Sequence, residues 1–565
     1  MPWSLRVITG LTADTEPSLI LKFESPPAKY IFNVPEGTNR ACIQKRYGIA
    51  KTKAAFLTRL HPEQIGGFPG LVMMLADINS RDLTVCGPAG LTHYIASTRF
   101  YARRTAFGVN VNEYKHHDLS AAGNATLATL PPPIFQDENI VVHSIALYPS
   151  AVDDTGSTGS PSGSRPDLPP KTSILALDTE VSMHPRLDPA PARFVPSDDF
   201  KATLEAINAG SYVHPLEDIY TSARKDAESS SPSHLPANPN GQDITITALG
   251  TVSATLIQIP SYGNILLDSG EGTWGQLARQ FGQPIISEEG QASGGVIDIL
   301  RDLKCIFISH VHGDHHMGLA KILARRHQLN PSLSEPLYLI ANRLTLHYLS
   351  ELNDVVDFGF HDRRHVSVVD AEDVYYLNGP AKLKATLGLE SIQTVDVEHR
   401  TQCYGLVLRH KDEWSVVYSG DTMPCTRLVE AGQDATVLIH EATMADDQVD
   451  LALAKAHSTA GQAIDRYPKM PELQGPALAD ESLTSPSEEP RAPVAIAFDC
   501  ATLRLGSLWK MEKYMGAMAQ TFEKEPDEAS DGGVPLDGTE APATSSSPSK
   551  GKKNKKEKRS EAKTA

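Results

Sequence analysis

The sequence is poor in the features that mark secreted, membrane-spanning and nucleic-acid-coating proteins. Its six cysteines are scattered without a CxxC pair, which excludes a disulfide scaffold or a cysteine-ligated zinc finger and favours a reducing compartment. No apolar run approaches the roughly 18–20 residues of a membrane helix, and the first residues lack the basic and apolar regions of a signal peptide. Acidic residues outnumber basic ones, 69 to 52, and the net charge of −17 argues against a surface that coats nucleic acid. We therefore expect a soluble, intracellular protein.

The composition is that of a globular protein with several domains. The chain has 565 residues, of which 40% are hydrophobic and 21% charged. Stretches rich in Ser, Pro, Gly and Asp predict the following division. It comprises a folded unit at 1–149, a low-complexity linker at 150–241 with a short ordered segment near 195–220, a second unit at 242–525 with a disordered insert at 472–492, and a disordered tail at 526–565. The tail ends in a lysine-rich run, which is typical either of a nuclear-import or nucleic-acid-contacting tail or of a solvated end.

The two folded units resemble each other in sequence. In segments 29–75 and 264–323, an apolar run leads into an EGT turn and an amphipathic segment, and a later apolar run ends in a polar loop that closes with Gly-Leu. This repetition predicts a duplicated domain; generic strand–turn–helix sequence is the alternative. The second loop is rich in metal-binding side chains, while the first keeps only His61, with Glu63 and Gln64 nearby. We expect the first unit to lack a metal site.

The loop SHVHGDHHMGL (309–319) is the strongest candidate for a metal site. It follows the apolar run CIFI and precedes a helical pattern, so it lies at the carboxyl end of a strand, where α/β folds place ligands. His310 and His312 project to one side of an extended segment, and Asp314 and His315 follow on the turn. Imidazole and carboxylate suit Zn²⁺ or Mn²⁺. A solvated loop is the alternative, although four histidines within seven positions are improbable in a chain with 20.

Further candidates stand where other Val- and Ile-rich runs end. His399, Asp421 and the pair His440-Glu441 each follow such a run, and His457 begins a helix flanked by Ser and Thr. Each of these residues alone is more often structural than catalytic. Their shared position after predicted strands suggests that they meet the loop at 309–319.

These motifs resemble a known family. HVHGDH (310–315) resembles the HxHxDH motif of the metallo-β-lactamase superfamily. Four more segments are similar to ribonuclease Z, the endonuclease that removes the 3′ trailer from precursor tRNA: LLDSGEGTWGQL (266–277), VVYSGDTMPC (416–425), LIHEAT (438–443) and AHSTAGQA (456–463). FNVPEGTNR (32–40) and FLTRLHPEQIGGFPGL (56–71) are similar to the amino half of the long eukaryotic form. The resemblance covers roughly residues 1–105 and 242–525.

The resemblance implies an α/β fold with two αβ/βα sandwich units, of which the amino-terminal one lacks metal ligands, packed as an internal pseudo-dimer. It also implies a site with two Zn²⁺ ions and precursor tRNA as the substrate. The implied roles are His310, His312 and His399 on one metal, Asp314 and His315 on the other, Asp421 as the bridge, Asp314 as the proton acceptor for water, and Glu441 with His457 as the pair that protonates the leaving 3′ oxygen. Paired cations and a carboxylate-tuned histidine suit phosphodiester hydrolysis.

Two departures from the family pattern affect this site. The family completes its second metal with a histidine in an HFSxRY-type motif, but here no histidine follows His457 and only Arg466-Tyr467 of that motif remains. In addition, VSATL follows LGT directly in the sequence (249–256), where the family has a loop that contacts the tRNA 3′ end. A missing exon in the gene model and a genuine isoform both explain these gaps. We expect one metal to bind firmly and the other poorly, and cleavage to be reduced or absent.

Two alternatives to a tRNA 3′ endonuclease remain. One is a non-catalytic tRNA-binding or scaffold protein, and the other is another metallo-β-lactamase-fold hydrolase, such as a glyoxalase-like thioesterase or a cleavage-factor nuclease. The 19 positions between Asp421 and His440 leave no room for the large inserted domain of such nucleases.

Two groups of basic side chains are candidates for binding tRNA. They are Arg99, Arg103 and Arg104, which flank Tyr101, and Arg325 and Arg326 on the predicted helix after the metal loop. A solvated helix face is the alternative. The lysine-rich tail and the resemblance predict a nuclear protein, with the mitochondrion and the cytoplasm as alternatives, and no membrane partner.

Overall fold

The computed structural model describes most of both predicted units. The described residues are 3–12, 15–114, 132–144, 179–184, 190–191, 202, 209, 217–230, 241–250, 253–286, 292–329, 335–466 and 497–523. The predicted insert at 472–492 and the tail at 526–565 lie outside them. Within the described part, no helix is long and apolar enough to cross a membrane.

The first unit is built on one large mixed sheet. Its strands are β1 (Trp3–Thr9), β2 (Ser18–Glu24), β3 (Pro27–Phe32), β4 (Thr52–Phe56), β5 (Asp82–Pro88), β6 (Gly108–Tyr114), β9 (Thr179–His184) and β10 (Ala190–Pro191), in the order β10-β9-β1-β2-β3-β4-β5-β6. Its helices are α1 (Thr38–Gln44), α2 (Pro62–Ile65), α3 (Phe68–Asp77) and α4 (Leu91–Ser97). The helices cover one face, and a hairpin of β7 (Phe135–Gln136) and β8 (Val141–Val142) packs on the other.

The second unit has two sheets with helices outside them. The larger sheet contains β11 (Thr245–Ala248), β12 (Thr255–Ile259), β13 (Gly263–Leu267), β16 (Leu303–Ile308), β17 (Leu337–Ala341), β18 (Val366–Asp370) and β23 (Thr502–Arg504); a small ribbon pairs β14 (Ile285–Ile286) with β15 (Ala292–Ser293). The second sheet contains β19 (Leu389–Asp396), β20 (Tyr404–His410), β21 (Ser415–Tyr418) and β22 (Val437–Ile439). A dry core of alternating inward residues fills the space between the sheets. The predicted αβ/βα sandwich is confirmed here.

The remaining helices flank these sheets. They are α5 (Glu217–Ser229), α6 (Thr273–Phe281), α7 (Val296–Arg301), α8 (Gly313–His316), α9 (Leu319–Gln328), α10 (Arg343–Asn353), α11 (Ala371–Leu377), α12 (Ala381–Leu387), α13 (Thr426–Ala431), α14 (Val449–Lys455), α15 (Ala460–Arg466) and α16 (Met511–Glu523).

The sheet topology confirms the predicted duplication. Strands β1 to β6 run in the same order and with the same directions as β11, β12, β13, β16, β17 and β18. In both sets, two antiparallel pairings are followed by three parallel ones.

Equivalent glycines fix the register of the repeat. The amide of Gly67 donates to Val34 O at 2.9 Å, as the amide of Gly318 donates to Ser269 O at 3.0 Å, and each glycine precedes a helix. A Cβ on Gly67 would lie 2.3 Å from Pro35 O, so no larger residue fits there. Gly67 therefore matches Gly318, and the alignment on the later Gly-Leu pair at 70–71 is wrong by three residues.

The two halves pack through their helical layers and share one hydrophobic core. Helix α4 packs on α10, and α2 packs on α9. The two EGT turns also meet, since the amide of Gly37 donates to Glu271 Oε1 at 2.8 Å, while the Gly272 amide approaches the carboxylate of Glu36. The repeat thus forms an internal pseudo-dimer in which equivalent turns face each other.

A small group of charges is buried in this interface. Glu36 is 1% exposed, and Lys321 Nζ, itself buried, lies 3.7 Å from its Oε2. Burial raises the pKa of Glu36 to about 7, although Lys321 opposes the shift. Burial also raises the pKa of Glu271. Lys321 is therefore the ion-pair partner of Glu36 inside the contact between the halves, and Arg40 and Lys321 both act on Glu271.

The linker differs from the prediction at two places. Residues 179–191 supply β9 and β10, which extend the first sheet beyond β1. Residues 221–230, expected to be low-complexity connection, belong largely to α5, because Ala223 and Ala227 form a small apolar stripe that is buried where α5 packs on α16. Most of the ordered segment predicted near 195–220 lies outside the described residues.

Candidate metal centre

The candidate site lies where the two sheets of the second unit meet at the carboxyl ends of their strands. His310 and His312 follow β16, His399 follows β19, Asp421 follows β21, and the pair at 440–441 follows β22. Strands from both sheets end at the same edge, so side chains distant in sequence converge there.

Four of the predicted residues form one compact cluster. One donor atom from each of His310, His312, His399 and Asp421 lies within 4.8 Å of the others. His399 Nε2 is 3.2 Å from His312 Nδ1, and Asp421 Oδ2 is 3.7 Å from His310 Nε2 and 4.0 Å from His399 Nε2.

Hydrogen bonds on the far side of two rings turn their free nitrogens towards the cluster. His399 Nδ1 donates to Ala456 O at 2.8 Å, which leaves the Nε2 lone pair facing inward. His310 Nδ1 lies 3.0 Å from Ser309 Oγ, and its buried Nε2 has no hydrogen-bond partner among the described residues. Burial lowers the pKa of His310 well below that of an ordinary imidazole, so its ring is neutral, the form that binds metals.

This arrangement fits a divalent metal ion. Donors that lie about 2.0–2.1 Å from a tetrahedral ion are about 3.4 Å from one another, close to the 3.2–4.0 Å separations given above. A buried imidazole nitrogen that nothing satisfies is costly, and an ion at the centre would satisfy it. Three imidazoles and one carboxylate can therefore hold a metal ion.

His315 stands beside this cluster and is held by a residue that the sequence reasoning missed. Its Nδ1 donates to Asp268 Oδ2 at 2.8 Å, which directs Nε2 towards Asp421 Oδ2 at 3.2 Å. Fully buried Asp268 also accepts from the Ser309 amide at 2.7 Å and the Tyr418 hydroxyl at 2.6 Å. Asp268 could have been found in the sequence, because it ends the apolar run NILLD just as the other candidates follow apolar runs.

Asp314 is placed differently from the other candidates. Its side chain is 65% exposed, and Oδ2 lies 3.8 Å from His315 Nε2. With Asp421, whose Oδ2 lies 3.2 Å from His315 Nε2, these residues are the predicted donors of a second ion. Among the described residues, however, the second group of donors that lie within 4.8 Å of one another is Asp421 with Glu441 and His457. The histidine that would complete such a site is missing from the sequence, as noted above, so this second position is more open than the first.

Glu441 and His457 form a separate dyad next to Asp421. His457 Nδ1 donates to Glu441 Oε1 at 3.0 Å, and this hydrogen bond raises the pKa of His457. Glu441 also accepts from the Thr422 amide at 2.6 Å and the Thr443 hydroxyl at 2.6 Å. Because both carboxylate oxygens are occupied by hydrogen bonds, the dyad suits proton transfer better than metal binding.

The charges of Asp421 and His315 support each other. Burial by itself would raise the pKa of Asp421, but the hydrogen bond and charge of His315 hold it below its usual value. Burial would likewise lower the pKa of His315, which Asp268 and Asp421 instead hold well above its usual value.

The equivalent loop of the first half has replaced metal ligands with an ion-pair cluster. The glycine register places Arg59 at the position of His310 and Glu63 at that of Asp314. Glu63 Oε1 lies 2.5 Å from Arg325 Nη2 of the second half, and its Oε2 lies 3.5 Å from Arg59 Nη2. Guanidinium groups thus supply the positive charge in this loop, and His61 keeps an imidazole at the position of His312.

The structure changes the set of candidate tRNA contacts. Arg326 is 5% exposed and donates to His365 O at 3.3 Å, so its prediction as a substrate contact is wrong: it lies on the inner face of α9. Arg99 donates two hydrogen bonds to Glu351 across the interface, and Arg325 forms an ion pair with Glu63 there. Arg103 and Arg104 are the candidates that stay at the surface close to the metal loop.

Comparisons with known proteins agree with this architecture. Residues 6–67 match the family model of the tRNase Z endonuclease, and residues 263–472 match that of the beta-lactamase superfamily domain. The chain is 36% identical over 308 residues to ribonuclease Z, mitochondrial, of Drosophila melanogaster, which covers 49% of this chain and 36% of that protein. It is 32% identical over 352 residues to human zinc phosphodiesterase ELAC protein 2, covering 55% and 39% of the two chains.

A solved structure extends the likeness to the whole fold. The crystal structure of a long form RNase Z from yeast covers 93% of this chain and 99% of its own, with a TM-score of 0.61 at 17% sequence identity. The matched segments span less than two fifths of the length of the fly and human relatives.

Proposed function

We propose that the chain is a zinc-dependent endoribonuclease of the long-form ribonuclease Z type that removes the 3′ trailer from precursor tRNA, a proposal supported by its similarity to that family and to the metallo-β-lactamase superfamily. The observation that carries the proposal is the cluster of His310, His312, His399 and Asp421 beside the Glu441–His457 dyad. A donor set of three imidazoles and one carboxylate suits Zn²⁺.

The side chains divide the proposed reaction between them. When bound, a divalent ion lowers the pKa of water and stabilises the charge on phosphodiester oxygens. Asp314, at the exposed rim of the site, accepts the proton of the attacking water. His457, held by Glu441, donates a proton to the leaving 3′ oxygen, a role suited to an imidazole whose pKa the carboxylate raises.

We propose that the first metal position is firm and the second weak. His310, His312, His399 and Asp421 offer four donors to the first, whereas Asp314, His315 and Asp421 offer only three to the second. A three-donor position is more open and holds its ion less tightly than a closed one. We therefore expect slower cleavage than that of a family member with a complete site.

Cleavage of a precursor tRNA with a 3′ trailer tests the function directly. The chain is used in molar excess over a labelled precursor, with added Zn²⁺, so that a slow reaction is detected. Release of the intact trailer and a tRNA with a 3′ hydroxyl supports the proposal. Metal binding and tRNA binding without cleavage would instead support the alternative, a non-catalytic tRNA-binding scaffold, which the two sequence gaps favour.

Replacing His457 by asparagine tests the proton-donor role. We expect the cleavage rate at saturating precursor to fall about 100-fold, since a general acid typically contributes that much or more. The ion at the first position is expected to stay bound, because its four donors do not include His457, which belongs instead to the neighbouring group of Asp421, Glu441 and His457. Rates are measured beside His361→Asn, a control at an exposed histidine. Loss of metal from His457→Asn, or an unchanged rate, would contradict this role.

Arg103 and Arg104 are the proposed contacts to tRNA phosphates. Arg103 is exposed, and both follow Tyr101, whose ring touches the metal loop. This position brings positive charge beside the site in a chain whose net charge is negative. We also propose a nuclear location from the lysine-rich tail, with the mitochondrion and cytoplasm as alternatives.

A further inference from the structure

The first half, which lacks the cluster of metal donors, places one aromatic ring directly against the metal loop of the second half. Tyr101 follows α4 and the short 3-10 turn Thr98–Phe100. Its ring centroid lies 4.6 Å from that of His316, with the two planes at 87°. Its hydroxyl lies 3.2 Å from that of Tyr348, whose ring also contacts His316 at 5.0 Å.

Tyr101 also lies under the turn that joins two candidate metal ligands. A Cβ on Gly313 would be 3.2 Å from Tyr101 Cδ2, which is closer than ordinary van der Waals contact. Gly313 stands between His312 and Asp314. The ring therefore limits how far this turn can move towards the first half.

His316 connects the ring to the ligand-bearing strand end. It is 1% exposed, and its Nε2 donates to Val311 O at 2.9 Å. Val311 lies between His310 and His312. The Tyr101 ring thus contacts the His316 ring. His316 in turn is hydrogen-bonded to Val311, the residue between the two histidines of the cluster.

We propose that Tyr101 is a positioning residue for the metal site, supplied by the half that has lost its own. The ring holds the turn Gly313–His316 from behind and so keeps the histidine donors aligned. This inference rests on the proposed metal site, and it gives the first half a role in metal affinity. An edge-to-face aromatic pair contributes enough to change an equilibrium roughly three- to tenfold.

Tyr101→Leu and Tyr101→Phe in the full chain test the proposal. Leucine removes the aromatic contact with His316, whereas phenylalanine keeps the ring and loses only the hydroxyl. The matched control is Tyr30→Leu, a fully buried tyrosine of the same half that packs on the other face of the sheet, where it bonds to Asp137. All chains are compared by thermal unfolding without metal, by Zn²⁺ affinity in competition with a coloured chelator, and by the absorption spectrum of bound Co²⁺.

The expected results separate positioning from simple stability. Tyr101→Leu should bind Zn²⁺ roughly three- to tenfold more weakly and shift the Co²⁺ bands, while Tyr101→Phe and Tyr30→Leu keep wild-type affinity and spectrum. Equal affinity and spectrum in Tyr101→Leu would overturn the inference. If the wild-type chain itself bound no metal, the proposed function would fail instead, so the two failures are distinguishable.

Gly313→Ala provides a second route that keeps Tyr101. The added methyl group would lie 3.2 Å from Tyr101 Cδ2 and 2.8 Å from Sδ of Met317, a flexible side chain that can move aside, and Gly313 does not have the positive φ that only glycine tolerates. We expect weaker Zn²⁺ binding in Gly313→Ala and a smaller additional loss when Tyr101→Leu is also present, because leucine leaves room for the methyl group. Unchanged affinity in Gly313→Ala, or fully additive losses, would contradict a contact between the two positions.

Discussion

Replacing Asp421 by alanine is expected to lower metal affinity at least about 100-fold and to reduce any cleavage of precursor tRNA to background. Mutating a residue that only hydrogen-bonds to a metal ligand typically lowers metal affinity about 10- to 100-fold. Asp421 offers its own carboxylate to the ion, so a larger loss is expected. It lies within reach of His310 and His399 on one side and of His315 on the other. Its loss removes the one anionic donor of the first position and the residue shared with the second.

The affinity is measured by Zn²⁺ competition at fixed pH, together with thermal unfolding of the metal-free chain. Asp412→Ala is the matched control, since that carboxylate is half-exposed and pairs with His410, a histidine outside the cluster. Its metal affinity should match that of the wild type. An Asp421→Ala chain that retained wild-type affinity would remove Asp421 from the site.

Replacing Lys321 by methionine is expected to lower the free energy of unfolding by about 3–5 kcal/mol at pH 8, the cost of breaking a buried ion pair by removing one partner. Lys321 and Glu36 are 3% and 1% exposed, and the carboxylate of Glu271 is close by. Without the ammonium group, the buried carboxylate of Glu36 loses its ion-pair partner. Glu271, in contrast, keeps the charge of Arg40 and the hydrogen bond from the Gly37 amide. The exposed pair of Lys382 with Glu335 provides the control, and Lys382→Met should cost no more than about 1 kcal/mol.

The same variant has a defined pH dependence. Burial already raises the pKa of Glu36 to about 7, and loss of Lys321 raises it further. A carboxyl group whose folded pKa lies above its unfolded value stabilises the fold less and less as pH rises between those two values. The destabilisation of Lys321→Met should therefore be smaller at pH 5.5 than at pH 8. The double variant Glu36→Gln with Lys321→Met should recover part of the loss, and an equal loss in both variants at pH 8 would contradict a charge effect.

The convergence of the metal donors could be predicted because the ends of strands can be recognised in the sequence. His310, His399 and Asp421 each follow an apolar run of β-type residues, and strands of an α/β fold end at a common edge. The duplication of the domain could also be recognised from the sequence, since the EGT turns and apolar runs repeat. The alignment beyond them was wrong because Gly-Leu recurs at 70–71, three residues after the true equivalent of Gly318.

What the sequence could not supply is the direction in which a side chain points. Arg325 and Arg326 are adjacent on α9, yet one bonds to Glu63 at the interface and the other is buried on the inner face. Tyr101 stands among basic residues in the sequence, but its ring faces the metal loop. The contacts of Arg325 and Tyr101 depend on how the two halves pack, and the burial of Arg326 depends on how α9 packs within the second half. No local sequence pattern encodes either arrangement.

We propose that His310, His312, His399 and Asp421 hold a metal ion in the second half of this chain. Atomic spectroscopy of the purified full chain, dialysed against a weak chelator, counts the ions that it retains. We expect about one zinc ion per wild-type chain and none in Asp421→Ala. A wild-type chain that is folded but retains no divalent metal would contradict the proposal.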